Sequence, residues 1–286
     1  MSESSAVLGR IERTKVPPFL YGTAWKEERT RELTVAALKA GFRGIDTANQ
    51  RKHYDEASVG LGIADAIQSQ LVAREELFLQ TKFTFRPGQD HRLPYDPAAP
   101  VAEQVKQSFS SSLQHLGTTW IDSYVLHGPS QGTGLGKSDW EAWSAIESLY
   151  EQGLIRCLGI SNVSLDQLQT LTARCRIAPH FVQNRCYATM GWDGRVRDFC
   201  RTNGIVYQGF SLLTANRPVL AHPQVLKIAQ HYGRTPCQIV FRFARDVGML
   251  PLTGTTSVDH MREDLEVLDF QLQPDELKLI ERVAIA

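Results

Sequence analysis

Apolar and polar positions along the chain fall into two recurring patterns. Short runs rich in Ile, Val, Leu, Phe and Tyr occupy 19–22, 42–46, 77–82, 120–127, 155–160, 181–184, 205–210 and 249–252. Near-continuous apolarity over so few residues predicts strands covered on both faces, as in a parallel sheet. Between them, segments near 29–40, 56–70, 100–116, 138–151, 164–174, 193–203, 222–246 and 258–266 read as helices. Two helix starts carry capping-box spacing, Ser138-Asp-Trp-Glu141 and Ser164-Leu-Asp-Gln167, in which side chains at both ends of the first turn satisfy free N–H groups. Thr235-Pro236 supplies an N-cap and a proline at the first helical position, which divides 222–246 into two helices. After a lead to about residue 17, eight strand–helix pairs with no linker or low-complexity stretch predict an α/β fold, a (β/α)8 TIM barrel forming one domain over 1–286. A doubly wound sheet is the alternative, but the Gly-x-Gly-x-x-Gly turn it wants after an early strand is missing.

At the carboxyl ends of these runs stand polar groups of unlike chemistry. Asp46 closes Gly-Phe-Arg-Gly-Ile-Asp, and Tyr54 follows in Arg-Lys-His-Tyr-Asp-Glu. Lys82 closes Leu-Phe-Leu-Gln-Thr-Lys, and His127 closes Asp-Ser-Tyr-Val-Leu-His. Strand carboxyl ends gather on one face of such a barrel, where catalytic side chains meet. A lysine ending an apolar strand wants a partner charge. Asp46 can supply it, and a structural ion pair between neighbouring strands is the plain reading. A phenol beside that ammonium changes the balance. The cation stabilises phenolate and lowers a pKa of about 10, so Tyr54 is expected to act as a general acid.

Other strand ends carry different chemistry. Gly159-Ile-Ser161-Asn162 and Gln183 offer donors and acceptors suited to a carboxamide, with local backbone capping as the alternative. Phe210 either stacks on a planar heterocycle or is core. Ser211-Leu-Leu213-Thr214 follows strand seven, and Thr253-Gly254-Thr255-Thr256-Ser257 follows strand eight ahead of a helix. Those are the usual phosphate-binding positions of these barrels, although a plain N-cap would look similar. Trp25, Lys26, Phe83, Tyr187 and Trp192, from the first, third and sixth loops, are expected to line a substrate pocket. The glycine-rich stretch 129–136 either flexes over the site or is an ordinary surface loop.

Composition narrows the classes. Lys plus Arg number 31 against 31 Asp plus Glu, so nothing argues for nucleic acid or an anionic membrane as partner. Five widely spaced cysteines without Cys-x-x-Cys fit a reducing cytosol, not a disulfide scaffold or a zinc site. With no signal-peptide pattern and no apolar run long enough to span a bilayer, the expected location is cytoplasmic. No heptad pattern is evident, and a monomer is expected.

Taken in order, Gly41-Phe-Arg-Gly-Ile-Asp-Thr-Ala48, Thr81-Lys82, Leu126-His127-Gly-Pro129, Gly153-Leu-Ile-Arg156 and Gly159-Ile-Ser-Asn162 resemble the aldo-keto reductase superfamily over nearly the whole chain. The resemblance implies a barrel binding NADPH, less often NADH, without a Rossmann fold. It implies Tyr54 as proton donor, Lys82 and Asp46 as its tuners, and His127 as the residue orienting the carbonyl. It also implies that Ser161, Asn162 and Gln183 hold the nicotinamide carboxamide, with Phe210 stacked on the ring and Gly22 and Thr23 beneath the cofactor. Ser211, Leu213, Thr255 and Glu263 fall where the family contacts pyrophosphate and adenosine.

Four departures from the family pattern stand out. The Asp46–Tyr54 stretch is about three residues longer than in well-known members, with Glu56 matching the acidic residue after the family's Tyr. Gly128 replaces a Trp after the histidine. Gly254 and His260 stand at positions of a familiar Lys and Arg, which weakens the grip on a 2′-phosphate; Arg262 is a substitute cation. The tail after 273–281 is short, so an open pocket is expected. The expected function is NAD(P)H-dependent reduction of small aldehydes or ketones. A cofactor-binding regulatory or sensor subunit is the rival from another class. A metal-dependent hydrolase or a Lys82 aldolase shares the fold only.

Overall fold

Residues 15–284 are described by a computed structural model, so most of the N-terminal lead lies outside the described residues. Eight parallel strands close a barrel in the order β1 to β8: Leu20–Gly22, Gly44–Asp46, Phe78–Phe83, Ile121–Leu126, Ile155–Ser161, Phe181–Arg185, Val206–Phe210 and Leu250–Thr253. Each predicted strand is present, with ends moved by one or two residues. The start of β2 moves for a physical reason. Gly41 takes φ 117° at the end of α1 (Thr30–Ala40), and the N–H groups of Gly41 and Phe42 bond Leu38 and Ala37. Phe42 therefore belongs to the helix stop and not to the strand.

The following helices are α2 Glu56–Gln68, α3 Val101–Leu116, α4 Lys137–Glu151, α5 Leu165–Arg174, α6 Gly194–Thr202, α7 Pro223–Tyr232, α8 Pro236–Asp246, α9 Val258–Leu265 and α10 Pro274–Arg282. A one-turn helix, Arg217–Leu220, precedes α7. Ser164 with Gln167 caps α5, and Thr235 with Pro236 starts α8 as the sequence predicts. Ser138 is not a cap. Helix α4 begins one residue earlier, because Asp139 accepts from the N–H groups of Gly136 and Ser130 and so takes over the first turn. Helix α10 is additional to the predicted set, capped by Gln273 and Glu276 around Pro274.

Two packed regions divide the interior. Outward-facing strand residues such as Leu79, Tyr124, Leu158 and Val182 pack under the helices. Inward-facing Leu20, Phe78, Cys157, Phe181, Leu250 and Leu252 plug the barrel's lower half, with Phe78 and Phe181 edge to face at 5.6 Å. Side chains alternate between faces along a strand, so β3 sends Phe78, Gln80 and Lys82 inward and Thr81 and Phe83 outward. Gly44 is held to glycine by crowding, since a Cβ there would lie 2.4 Å from Leu20 and 2.5 Å from Pro17.

Candidate active site

Above the apolar plug lies a polar layer that the sequence does not announce. The Gln80 and Gln208 amides exchange hydrogen bonds (2.7 and 2.9 Å), and Gln80 also donates to Asp46 Oδ1 at 2.7 Å. Gln183 donates to both Asp46 Oδ1 (3.1 Å) and Gln208 Oε1 (2.9 Å). Lys82, 0% exposed, places all three ammonium protons, on Asp46 Oδ1 (2.7 Å), Oδ2 (2.8 Å) and the Thr47 carbonyl (2.8 Å). Asp46 is 3% exposed. A buried pair with all three ammonium protons placed and both carboxylate oxygens accepting is the arrangement that offsets desolvation. Of the three glutamines only Gln183 is singled out by the sequence; Gln80 and Gln208 show only as polar positions within apolar strands.

Tyr54 reaches this layer from the long loop after β2, which is a tied structure. His53 and Tyr54 both donate backbone N–H to the Gln50 carbonyl, and Gln50 Nε2 donates to Gly88 O at 2.6 Å. His53 accepts a stacking Trp25 at 4.0 Å, while Trp25 N–H donates to His53 O. Glu56, at the start of α2, bonds the Thr81 hydroxyl and His115 Nδ1 (3.0 Å). The Tyr54 ring lies 5.4 Å from Lys82 Nζ and 6.1 Å from the His127 ring. Burial, then the Asp46 charge, pushes the phenol well above its usual pKa. That differs from the lowered value expected from Lys82, because Asp46 neutralises the ammonium and the low-dielectric site penalises phenolate. His127 is pushed down to about 3 by burial and by the Lys82 and His53 charges, and is therefore a neutral imidazole. Its Nδ1 lies 2.7 Å from the Thr84 hydroxyl, which leaves Nε2 for the cavity.

A single cavity of about 1080 Å³ runs from these groups to the loops after β7 and β8. Gly22, Trp25, Lys26, Asp46, Tyr54, His127, Ser161, Asn162, Gln183, Phe210, Ser211, Leu213, Gly254, Thr255, Thr256, His260 and Glu263 all line it. Asn162 and Ser211 hold left-handed φ of 51° and 56°, the kind of local strain that gathers at ligand sites. Asn162 Nδ2 donates to His127 O (2.8 Å) and Ser161 Oγ (3.1 Å). Asn162 Oδ1 and Gln183 Oε1 thus remain as acceptors, beside a serine hydroxyl able to donate. After β8, Ser257 caps α9 as the plain reading had it, while Thr255 and Thr256 face the cavity. Lys26 reaches across from the first loop and donates to the Gly254 carbonyl. A cation from another strand's loop therefore stands beside position 254, where a Cβ would lie 3.5 Å from Lys26 Nζ, a placement no local motif signals.

Four expected contacts are corrected. Phe83 faces outward by strand alternation and packs on Phe85 and Tyr95 (5.2 and 5.6 Å). Trp192, 0% exposed, turns inward beneath its loop, donates to Ile280 O at 3.0 Å and packs on Phe243. Tyr187 lies outside the cavity lining, with Arg185 over its ring at 5.6 Å. Thr23 is buried, its N–H and hydroxyl both on Asp46 O, and does not reach the cavity. The lining instead includes Thr84, Phe85, Pro87, Gly128 and Arg185.

A closed parallel barrel with an acid, a phenol, an amine and an imidazole at its carboxyl end, opening into a long cleft, defines an oxidoreductase of the barrel type. The chain belongs to the aldo/keto reductase family, whose model matches residues 19–285. It is 32% identical over 256 residues to methylglyoxal reductase DkgA of Yersinia pestis, covering 88% of this chain and 83% of that one. It is 30% identical over 245 residues to an uncharacterized oxidoreductase, YtbE, of Bacillus subtilis, covering 86% and 80%. The Bombyx mori aldo-keto reductase AKR2E4, solved in complex with NADP, superposes with a TM-score of 0.80 at 27% identity, covering 93% and 89%. As a family member the chain is an NAD(P)H-dependent carbonyl oxidoreductase.

Proposed function

We propose that the chain reduces small aldehydes and ketones with NADPH, with Tyr54 as the proton donor, and that the reaction reverses as alcohol oxidation. The observation that carries this reading is the convergence of Tyr54, His127 and the Asp46–Lys82 pair on one wall of the cleft that Asn162, Ser161, Phe210 and Lys26 also line. The free acceptors Asn162 Oδ1 and Gln183 Oε1 and the Ser161 hydroxyl fit a carboxamide, Phe210 offers a ring face, and Lys26 with Thr255 and Thr256 fits a phosphate. When bound, the nicotinamide supplies hydride from C4 to the carbonyl carbon. Neutral His127 donates from Nε2 to the carbonyl oxygen and fixes its direction. The Thr84 hydroxyl on Nδ1 holds that tautomer. Tyr54, kept protonated by its surroundings, gives its proton to the alkoxide as charge develops there. A phenol raised toward the pKa of an alcohol is well matched to that transfer, and Lys82 limits the cost of the phenolate left behind.

Trp25, 66% exposed, and Phe85, Pro87 and Gly128 leave the carbonyl end of the cleft broad. No helix among the described residues is long and apolar enough to cross a membrane, and none of the five cysteines is in a disulfide, which favours a cytoplasmic, reducing setting. We take a monomer as the working state. Nothing in the site favours a regulatory subunit over an enzyme. Tyr54→Phe tests the assignment: NADPH oxidation with a panel of aldehydes and ketones should fall at least a hundredfold while NADPH affinity stays within twofold. Most activity surviving in that variant would remove Tyr54 from its role.

A further inference from the structure

The far end of the cleft holds a buried acid that the reaction leaves without work. Asp264, in α9, is 4% exposed and lines the cavity beside His260 and Glu263. Its Oδ2 has no hydrogen-bond partner. Burying a carboxylate oxygen without a partner is costly, and of the ten such orphan atoms among the described residues it alone belongs to a residue lining the cofactor cleft. The groups facing it are few. Glu263 and His260 share its helix, a hydrogen bond from Thr253 arrives from β8, and the Cys237 thiol faces it from α8. Burial first, then Glu263, pushes the carboxyl up to about 6, against the opposing pull of Thr253 and His260.

We propose that Asp264 binds the dinucleotide's adenosine end as the neutral acid, so that loading the cofactor takes up a proton. The inference rests on the cofactor placement given above. Adenosine carries acceptors, its ring nitrogens and, in NADP, phosphate oxygens, together with the donor of its exocyclic amino group. A carboxylate accepts only, so it could take a bond from the amino group but would leave the adjoining ring nitrogen, or a phosphate oxygen, facing an anion. The neutral acid presents one donor beside one acceptor, which matches an adenine edge where a ring nitrogen adjoins the amino group. A bound base also covers the carboxyl further, which raises its pKa again and completes protonation. Asp264 thereby couples cofactor affinity to pH at a point remote from Tyr54.

The test is calorimetric titration of the wild-type protein with NAD+ and NADP+ at pH 7, in two buffers of different ionisation heat. With a free-state pKa of about 6, about nine-tenths of Asp264 is ionised at pH 7, so uptake should approach about 0.9 proton per site. Between pH 6 and 8 the neutral fraction falls from about one half to about one hundredth, so affinity should fall about fiftyfold. Asp264→Asn keeps a donor and an acceptor without the proton; it should bind with no uptake and lose this pH dependence. Uptake with both dinucleotides that Asp264→Asn abolishes assigns the base edge. Uptake abolished for NADP+ alone assigns the 2′-phosphate as the acceptor. Binding without uptake, or uptake that survives in Asp264→Asn, overturns the proposal while leaving the cofactor placement intact. No binding of either dinucleotide at any pH overturns both. The two-buffer measurement needs no variant, so a poorly folded Asp264→Asn does not weaken it.

Discussion

Replacing Lys82 with Met tests whether the Asp46–Lys82 pair holds the barrel together as well as tuning its chemistry. At 2.7 Å and an effective dielectric of about 20, the gross attraction is about 6 kcal/mol. Taking both groups out of water offsets much of that, so the pair is near break-even against neutral residues. Removing one member is different. Lys82→Met leaves a carboxylate that is 3% exposed with only the Gln80 and Gln183 amides as donors, at a cost of about 3–5 kcal/mol. The double variant Asp46→Asn/Lys82→Met removes both charges and keeps an amide acceptor for the glutamines. It should recover all but about 1 kcal/mol, the residue being the lost bond to the Thr47 carbonyl. Urea unfolding, fitted by linear extrapolation with unchanged m, reads these differences, and thermal midpoints should fall by roughly 5–8 °C in the single variant. Neither variant should reduce carbonyls, which separates stability from turnover. A single variant within 1 kcal/mol of wild type, or a double variant as unstable as the sum of its parts, would refute this account of the pair.

Thr84→Val removes the hydroxyl 2.7 Å from His127 Nδ1; kcat should fall about tenfold with cofactor affinity unchanged, and Thr84→Ser should restore it, a loss of roughly 1.4 kcal/mol. Steady-state kinetics on the three proteins decides, and equal kcat values would make Thr84 mere packing. Lys26→Met should weaken NADPH binding about tenfold in a fluorescence titration, and NADH by less if the ammonium serves the 2′-phosphate as well as the pyrophosphate. Equal affinities for wild type and variant would return Lys26 to a role in bridging to Gly254. His127 is about 3 in the folded protein against about 6.5 unfolded. The unfolded chain therefore binds the extra proton between these values, and stability from this residue is full above pH 6.5 and lost as pH falls toward 3. Urea midpoints at pH 7 and pH 5 should differ more in wild type than in His127→Gln; the same difference in both would deny the burial effect.

The barrel and the site were legible in the sequence to different depths. Strand positions were readable because eight short apolar runs leave little freedom, and Lys82 and Asp46 were readable because a charge at the end of such a run demands a partner. Phe83 was misplaced although the information was present: once Lys82 points inward, alternation along β3 sends its neighbour outward. Trp192 was a different kind of error. Its inward turn depends on left-handed φ at Gly191, Trp192 and Asp193, and on the Ile280 carbonyl of α10 as a distant acceptor, and neither shows in local pattern. The Ser138 capping box failed because Asp139 wins the competition for the first turn by also holding Ser130. Lys26 beside Gly254 joins loops more than two hundred positions apart, a compensation only the closed sheet brings together.

The polar layer changes how the catalytic pair should be understood. In most barrels of this kind inward layers are branched aliphatics, yet here Gln80, Gln183 and Gln208 lie directly below and beside Asp46. Gln80 and Gln183 donate to the carboxylate, Gln208 links the two of them, and Lys82 adds two more protons. Asp46 thus has four donors on its two oxygens in a site that otherwise offers little solvation. Burial pushes the Lys82 ammonium down and its contacts with Asp46 oppose that, and the paired charges balance one another until Tyr54 loses its proton. At that moment the Lys82 charge, 5.4 Å from the phenol ring, faces a new anion in the same dry cavity. The stabilisation is then larger in the transition state than in the resting site, which is the condition for it to raise kcat. The glutamines have a part in that difference: Gln80→Leu should disturb Asp46 and lower kcat, whereas a layer that only fills space would tolerate an isosteric aliphatic without loss.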